Sequence, residues 1–381
     1  MNKPPTPLPT SWSATARPLP PPAEPAVAAA PDRPPVPQLY WGSGHGPIQA
    51  VSVWTERVPG RGEDAEPFVC HHWESTQGLI AVFDGSGGAG AAPAWQTPDG
   101  TARTGAWVGA RAARLATDCW FHDVVRGSQD SDEDSLHAYV KYFLEQAPKR
   151  QSKISGTMRR QLPTTLAALH YQVDKGEKEI EVRPLWTGDS RAYALLPGSG
   201  LHVLTRDHTR ESDALELLRS DPPMTNLVCA DREFEVATRL LTLPLPCVLV
   251  TATDGFFGYV HTPGDFEHLL LRTLEQARDA LDWSDLLRRE VQAYTADDAS
   301  LALLALGHQD FADLKADFAP RLRQLTDQLT VGRPSALTGA SGHGGDPRET
   351  AAGIKAWQEQ TWQAYRPDYE RHLPPAPEES V

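Results

Sequence analysis

Between Leu39 and about Leu306 the chain alternates short apolar runs with polar and turn residues. Leu79 to Phe83, Leu166 to Val173, Val248 to Thr253 and Leu301 to Leu306 are short, apolar and bounded by polar residues, a pattern that predicts strands. RAYALL and LHVLT flank PGSG, whose Pro and Gly supply the torsions of a tight turn, so they predict a hairpin. Helical spacing appears elsewhere: Val108, Ala112, Leu115 and Cys119 lie within Gly105 to Phe121, and Leu136, Tyr139, Val140 and Phe143 lie within Ser135 to Glu145. This mixture of strand and helix reads as one domain over residues 38–308.

Further on, Phe311, Leu314, Phe318, Leu322, Leu325 and Leu329 recur at steps of three and four, which predicts an amphipathic helix over 309–331. Residues 332–348 are rich in Gly, Ser and Pro and read as a flexible linker. Within a C-terminal helical segment and tail, 349–381, one helix face carries Ile354, Trp357, Thr361 and Tyr365. At the other end, residues 1–37 are proline-rich with almost no bulky apolar side chains. Such a segment buries too little surface to offset its ordering entropy, so a disordered, extended tail is expected. The acidic stretch GSQDSDEDS lacks the glycine and terminal glutamate of a calcium loop and reads as solvated.

Charge narrows the partners. The 381 residues carry a formal net charge of −14, which disfavours general binding to nucleic acid or anionic membranes, since both require a positive surface. No apolar run is long enough to span a bilayer. The N-terminal residues lack the basic start and apolar core of a secretory signal, and Cys70, Cys119, Cys229 and Cys247 have neither metal-ligand spacing nor a dense disulfide framework. A cytoplasmic protein is the expectation, and one that tolerates cations.

The chemistry lies in acids placed where strands end or loops begin: Glu63 and Asp64 in RGED, Asp84 in VFDGSGG, Asp189 in TGDSR, Asp254 in ATDGFFG, and Asp297 and Asp298 in ADDAS. One such acid means little, because Asp is common in turns and helix caps. Several at the same end of a sheet would repel one another, and hard divalent ions ligated by oxygen supply the missing counter-charge. Glycine after Asp84 and after Asp254 lets a backbone carbonyl or a substrate approach closely. The glycine run itself lacks the Lys-Ser/Thr ending of a phosphate-cradling loop.

These blocks resemble the metal-dependent protein phosphatases of type 2C, the PPM family. RGED (61–64), VFDGSGG (82–88), LPTTLAAL (162–169), TGDSRAYALL (187–196), VLTRDHT (203–209), VLVTATDGFFG (248–258) and DDASLALLAL (297–306) follow that family's order and spacing, and the similarity covers Val51 to Leu306. The resemblance implies an α+β fold: a central sandwich of two antiparallel sheets flanked by helices, four layers in all. It implies two Mg2+ or Mn2+ ions, with Asp84 bridging both, the Gly85 carbonyl, Asp254 and Asp297 as direct ligands, and Glu63 and Asp64 holding metal-bound waters. Asp189, with Asp254, matches a third, weaker metal position. The implied activity is hydrolysis of phosphoserine and phosphothreonine esters in a protein substrate by a water bridging the two ions, with a serine/threonine kinase as opposing partner.

The departures are specific. Ser86, a poor acid, stands where many members have a histidine that protonates the leaving group. Pro59 stands where the phosphate-binding arginine is usual, and Arg61 is the nearest candidate, with Arg57 close by. Asp298 replaces an asparagine and is expected to cap a turn. His208 is expected to have a structural role, the adjacent His71 and His72 are not expected to share an ion, and Thr209 to Leu243 corresponds to a flap beside the cleft. Ser86 and Pro59 leave one alternative open: a catalytically silent phosphatase-fold module that binds or scaffolds with a protein kinase.

Overall fold

The computed structural model describes residues 39–376 apart from 46–47, 149–158, 174–175, 177, 221 and 338–346; the proline-rich stretch and most of the predicted linker lie outside the described residues. In chain order the strands are β1 (Leu39–His45), β2 (Ile48–Thr55), β3 (Ala65–His72), β4 (Gln77–Phe83), β5 (Pro93–Gln96), β6 (Ala102–Thr104) and β7 (Leu166–Gln172), then β8 (Glu179–Thr187), β9 (Arg191–Leu196), β10 (Gly200–Val203), β11 (Ala237–Thr238), β12 (Leu241–Pro244), β13 (Cys247–Ala252) and β14 (Ala299–Leu306). The α-helices are α1 (Gly87–Gly90), α2 (Gly105–Val125), α3 (Glu133–Gln146), α4 (Ala214–Leu217) and α5 (Asp254–Phe257), followed by α6 (Pro263–Gln276), α7 (Ala280–Tyr294), α8 (Phe311–Thr330) and α9 (Pro347–Tyr369).

Two antiparallel sheets form the centre. One runs β1-β2-β14-β13-β9-β10; the other runs β11-β8-β7-β4-β3, with β12 also on β8. The central strands read as unbroken apolar runs because both of their faces are covered. Along β14, Leu301, Leu303 and Ala305 pack with the helices α6, α7 and α8, while Ala302, Leu304 and Leu306 turn to the layer between the sheets. On β4 the roles divide likewise: Leu79, Ala81 and Phe83 meet α2 and α3, and Ile80 faces the opposite sheet. The result is the four-layer α+β sandwich, helices outside and two antiparallel sheets within.

The predicted strands and the hairpin at PGSG are present with ends shifted by a residue or two, and β10 pairs with β9 from Gly200↔Leu196 to Val203↔Tyr193. Both C-terminal helices join the body. Leu314, Phe318, Leu325 and Leu329 of α8, and Trp362, Tyr365 and Tyr369 of α9, are buried in the same cluster as β13 and β14. Their apolar stripes therefore close the outer helical layer.

Several elements carry no prediction of their own, among them β2, β3, β8, α6 and α7. The hairpin β5–β6 sits between α1 and α2, where GAGAAPAWQTPDGTART carries almost no apolar alternation. Its turn signal was nonetheless in the sequence: Pro98, Asp99 and Gly100 sit at its tip, and Gly100 takes φ +86°, which favours glycine. No helix among the described residues is long and apolar enough to cross a membrane.

Candidate metal and active site

Strand pairing carries the acids to one end of the sandwich. The pair Ala252↔Leu301 sets Asp254, just after β13, beside Asp297 and Asp298, just before β14. Ala252 also pairs with Arg191, which brings in Asp189 from the β8–β9 turn. In the other sheet Ala65↔Phe83 sets Asp64, just before β3, beside Asp84, just after β4. The two halves are tied across the layers, because the Asp64 carboxylate accepts from Thr253 Oγ1 (3.1 Å) and Ser300 Oγ (2.9 Å).

Each acid is held by its neighbours. The Asp84 carbonyl accepts from Thr165 N (2.8 Å) and Thr164 Oγ1 (2.7 Å), which fixes the end of β4. Glu63 accepts from Thr104 Oγ1 (2.5 Å) at the N-cap of α2, and its carbonyl accepts from Arg111 Nη1 (3.2 Å). The guanidiniums of Arg103 and Arg111 lie 4.7 and 4.0 Å from the Trp107 ring centroid, and Arg103 also donates to the Gly60 carbonyl (2.8 Å). This stack secures residues 60–63, the loop that bears Arg61, Glu63 and Asp64.

Asp298 departs from expectation. Instead of capping its own turn it reaches across the chain, accepting from Arg57 N (2.8 Å) and Glu63 N (2.7 Å). Of the two close approaches that the glycines allow, a backbone carbonyl's and a substrate's, the structure shows the first. A Cβ on Gly85 would lie 2.5 Å from the Glu63 carbonyl oxygen, and one on Gly255 would lie 2.0 Å from that of Asp298. The close approach that glycine permits is thus to the protein's own backbone, and it is what lets the acid-bearing loops nest together.

Crowding shows in the protonation of the cluster. Burial, then the charges of Asp64, Asp254, Asp189 and Asp297, holds Asp84 well above the ordinary carboxyl range. Burial followed by Asp298 pushes Asp64 up to about 8, and burial followed by Asp254 pushes Asp189 up to about 8. Glu63 and Asp297 are raised too, chiefly by burial. The Oδ1 atom of Asp189 is buried with no hydrogen-bond partner. All-oxygen donors, mutual repulsion and an orphaned carboxylate oxygen together fit hard divalent cations such as magnesium or manganese.

A cleft of about 330 Å³ opens beside the cluster. Its lining includes Asp189, Asp254 and Asp297 and, from the predicted flap, Thr209, Leu218, Arg219 and Pro222. Asp221, at the head of the DPPMTN turn, lies outside the described residues. Tyr259, which no sequence pattern marks, stands at the rim beside Asp297; burial, then the charges of Asp297 and Asp254, pushes its hydroxyl up to about 12. Thr253, Ser300 and Thr104 are unmarked as well, since a hydroxyl next to an acid carries no periodic signal.

The remaining candidates fall into place. Arg61 and Arg57 are exposed, Arg61 on the loop that bears Glu63 and Asp64. Ser86 begins α1 and makes no side-chain cap bond. His208 pins the Asp189 turn: its Nδ1 accepts from Gly188 N (3.0 Å), and its ring stacks on Trp186. His71 and His72 lie at the end of β3 remote from the acids and bond Tyr171 and Ser75. Outside the cleft, His308, Asp313 and Asp317 have ligand atoms within 4.8 Å of one another. Asp313 there accepts from Gln309 N (2.9 Å) and His308 pairs with Asp317 (2.8 Å), which stabilises the start of α8.

No protein-family model matches the chain, and no curated protein matches it. Solved structures do. The catalytic domain of the serine threonine protein phosphatase PstP, in complex with 2 manganese ions, matches at 14% identity over 68% of this chain and 98% of its own, with a TM-score of 0.43. The PPM Ser-Thr phosphatase MsPP from Mycobacterium smegmatis, in complex with cacodylate, matches at 14% identity over 68% and 98%, with a TM-score of 0.44. PppA, a key regulatory component of T6SS in Pseudomonas aeruginosa, matches at 15% identity over 69% and 100%, with a TM-score of 0.43. The chain is similar to phosphatases of the PPM type.

Proposed function

We propose that this chain is a metal-dependent serine/threonine protein phosphatase of type 2C, acting on a phosphorylated protein and opposing a serine/threonine kinase. The observation that carries the reading is the convergence of Glu63, Asp64, Asp84, Asp189, Asp254 and Asp297, from five separate loops, on one end of the sandwich beside an open cleft. Asp84, Gly85, Asp254 and Asp297 would hold two Mg2+ or Mn2+ ions, with Glu63 and Asp64 behind them and Asp189 at a third position. Divalent ions held there supply Lewis acidity, activating water for attack on phosphorus and offsetting charge on the phosphoryl oxygens.

The chain's own part is positioning. Threonines 164 and 165 fix the Asp84 backbone, Thr253 and Ser300 orient Asp64, and Asp298 locks the loop of Glu63. Arg61, exposed on that loop, would meet a phosphoryl group, and Tyr259 keeps its proton at neutral pH while bonding Asp297. Ser86 cannot act as an acid near neutrality, and this favours the second reading, a silent binding module.

One assay separates the two. Purified chain with manganese is expected to release phosphate from para-nitrophenyl phosphate and from a phosphothreonine peptide, and to stop on chelation. Absence of turnover with both substrates, alongside tight peptide binding indifferent to metal, would establish the silent module instead.

A further inference from the structure

One wall of the cleft that the acids line belongs to neither sheet. It is Leu217, the last residue of α4, with Leu218, Arg219, Ser220 and Pro222 after it, and α4 is a single turn, too short to hold itself in water. Asp213 caps it, Oδ1 accepting from Leu215 N (2.9 Å) and Glu216 N (3.2 Å). The other oxygen of Asp213 is taken by α9: Oδ2 accepts from Arg366 Nη1 (2.8 Å) and Trp362 Nε1 (3.2 Å). A second tie follows at Arg219, which donates to Gln358 Oε1 (3.3 Å) and lies 3.6 Å from Glu359. A third reaches the cleft floor, where Arg191 pairs with Asp207 (2.9 and 2.7 Å) and donates to the Tyr369 hydroxyl (3.5 Å).

The helix that makes these ties is itself immobilised. Trp362, Tyr365 and Tyr369 are buried in the core, and the Tyr365 hydroxyl donates to Glu267 (2.5 Å), which is also paired with buried Arg321 (2.6 Å). The wall is therefore anchored to a rigid platform whose sequence lies well beyond the similarity to the phosphatase blocks. A small aryl phosphate would need only the cleft mouth, whereas a polypeptide carrying its phosphate there would also lie along the wall.

We propose that α9 positions this wall through Asp213 and Arg219, and thereby sets the preference for phosphorylated polypeptide over small phosphate esters; the specificity part rests on the phosphatase reading above. Asp213 and Arg366 are positioning residues that do not touch the acids. Arg366→Ala removes one side of the seam. Asp213→Asn keeps the cap, because Asn caps helices as well as Asp, but loses the charge.

In the full chain with manganese, each variant is expected to raise KM for a phosphothreonine peptide about fivefold, the scale of a partly exposed ion pair, with no further rise in the double variant because the two share one interaction. The kcat on para-nitrophenyl phosphate is expected to stay within about twofold, and Arg366→Lys to restore most of the peptide KM. Amide hydrogen exchange at residues 214–220 should rise about fivefold in Arg366→Ala while β13 is unchanged. Unchanged exchange at 214–220, or an equal loss of kcat on both substrates, would overturn the proposal. Should the wild-type chain turn over neither substrate, the phosphatase reading falls, and exchange still decides whether α9 holds the wall. Peptide affinity by fluorescence anisotropy then replaces KM: fivefold weakening sustains the specificity role and unchanged affinity refutes it.

Discussion

Asp84→Asn is expected to lower manganese-dependent phosphate release by about a thousandfold or more, since the carboxylate proposed to hold both ions would be lost with little change in shape. The same substitution is expected to raise the melting temperature of the chelated protein. Asp84 sits against the charges of Asp64, Asp254, Asp189 and Asp297, so without a cation its carboxylate is a source of repulsion, which a neutral amide removes. Loss of activity together with a gain in metal-free stability is a pairing that a purely structural carboxylate would not give. If Asp84 only capped the end of β4, the substitution would lower stability and leave turnover largely intact. Calorimetry and phosphate release on one preparation distinguish the two outcomes.

The second large effect is on pH. Asp64 and Asp189 titrate near 8 in the folded chain against an ordinary value of 3.8, so between those values the folded state binds protons that the unfolded state has lost. Stability must then fall as pH rises through this window. Enclosed imidazoles act in the opposite sense at the acid end: burial pushes His170 and His202 down to about 4 from 6.5 and lowers His71, His208, His268, His308 and His372 as well, so they cost stability as pH falls below 6.5. Above 6.5 the carboxyls act without that opposition. The melting temperature of chelated protein is therefore expected to decline steadily from pH 6.5 to pH 8.5, and saturating manganese is expected to flatten the decline by binding the deprotonated, folded form. A chelated protein whose melting temperature is level or rising over that range would show that the acids do not crowd one another.

Much of this was legible in the residues, for identifiable reasons. Strands covered on both faces, such as β4, β13 and β14, are continuous apolar runs, and an acid directly beyond such a run can only lie at the sandwich edge. The hairpin at PGSG and the stripes of α8 and α9 followed from turn chemistry and helical period. The β5–β6 hairpin escaped because its strands are nearly devoid of apolar alternation, with the turn at Pro98 to Gly100 as its one mark. Within the site the acids were visible but their supports were not. Thr253, Ser300 and Thr104 act through contacts to residues 189, 236 and 41 positions away, and Asp298 bonds backbone 235 and 241 positions away. No local pattern encodes such distances. The role of the glycines was half visible: the need for close approach was in the sequence, but the approaching groups, the carbonyls of Glu63 and Asp298, were set by the fold.

The central claim is that these acids form a divalent-metal centre. Anomalous scattering from crystals of the full chain grown with manganese tests it most directly. Two manganese peaks enclosed by Asp84, Gly85, Asp254 and Asp297 are expected. Crystals that show manganese elsewhere, or no peak within that enclosure at saturating metal, would contradict it.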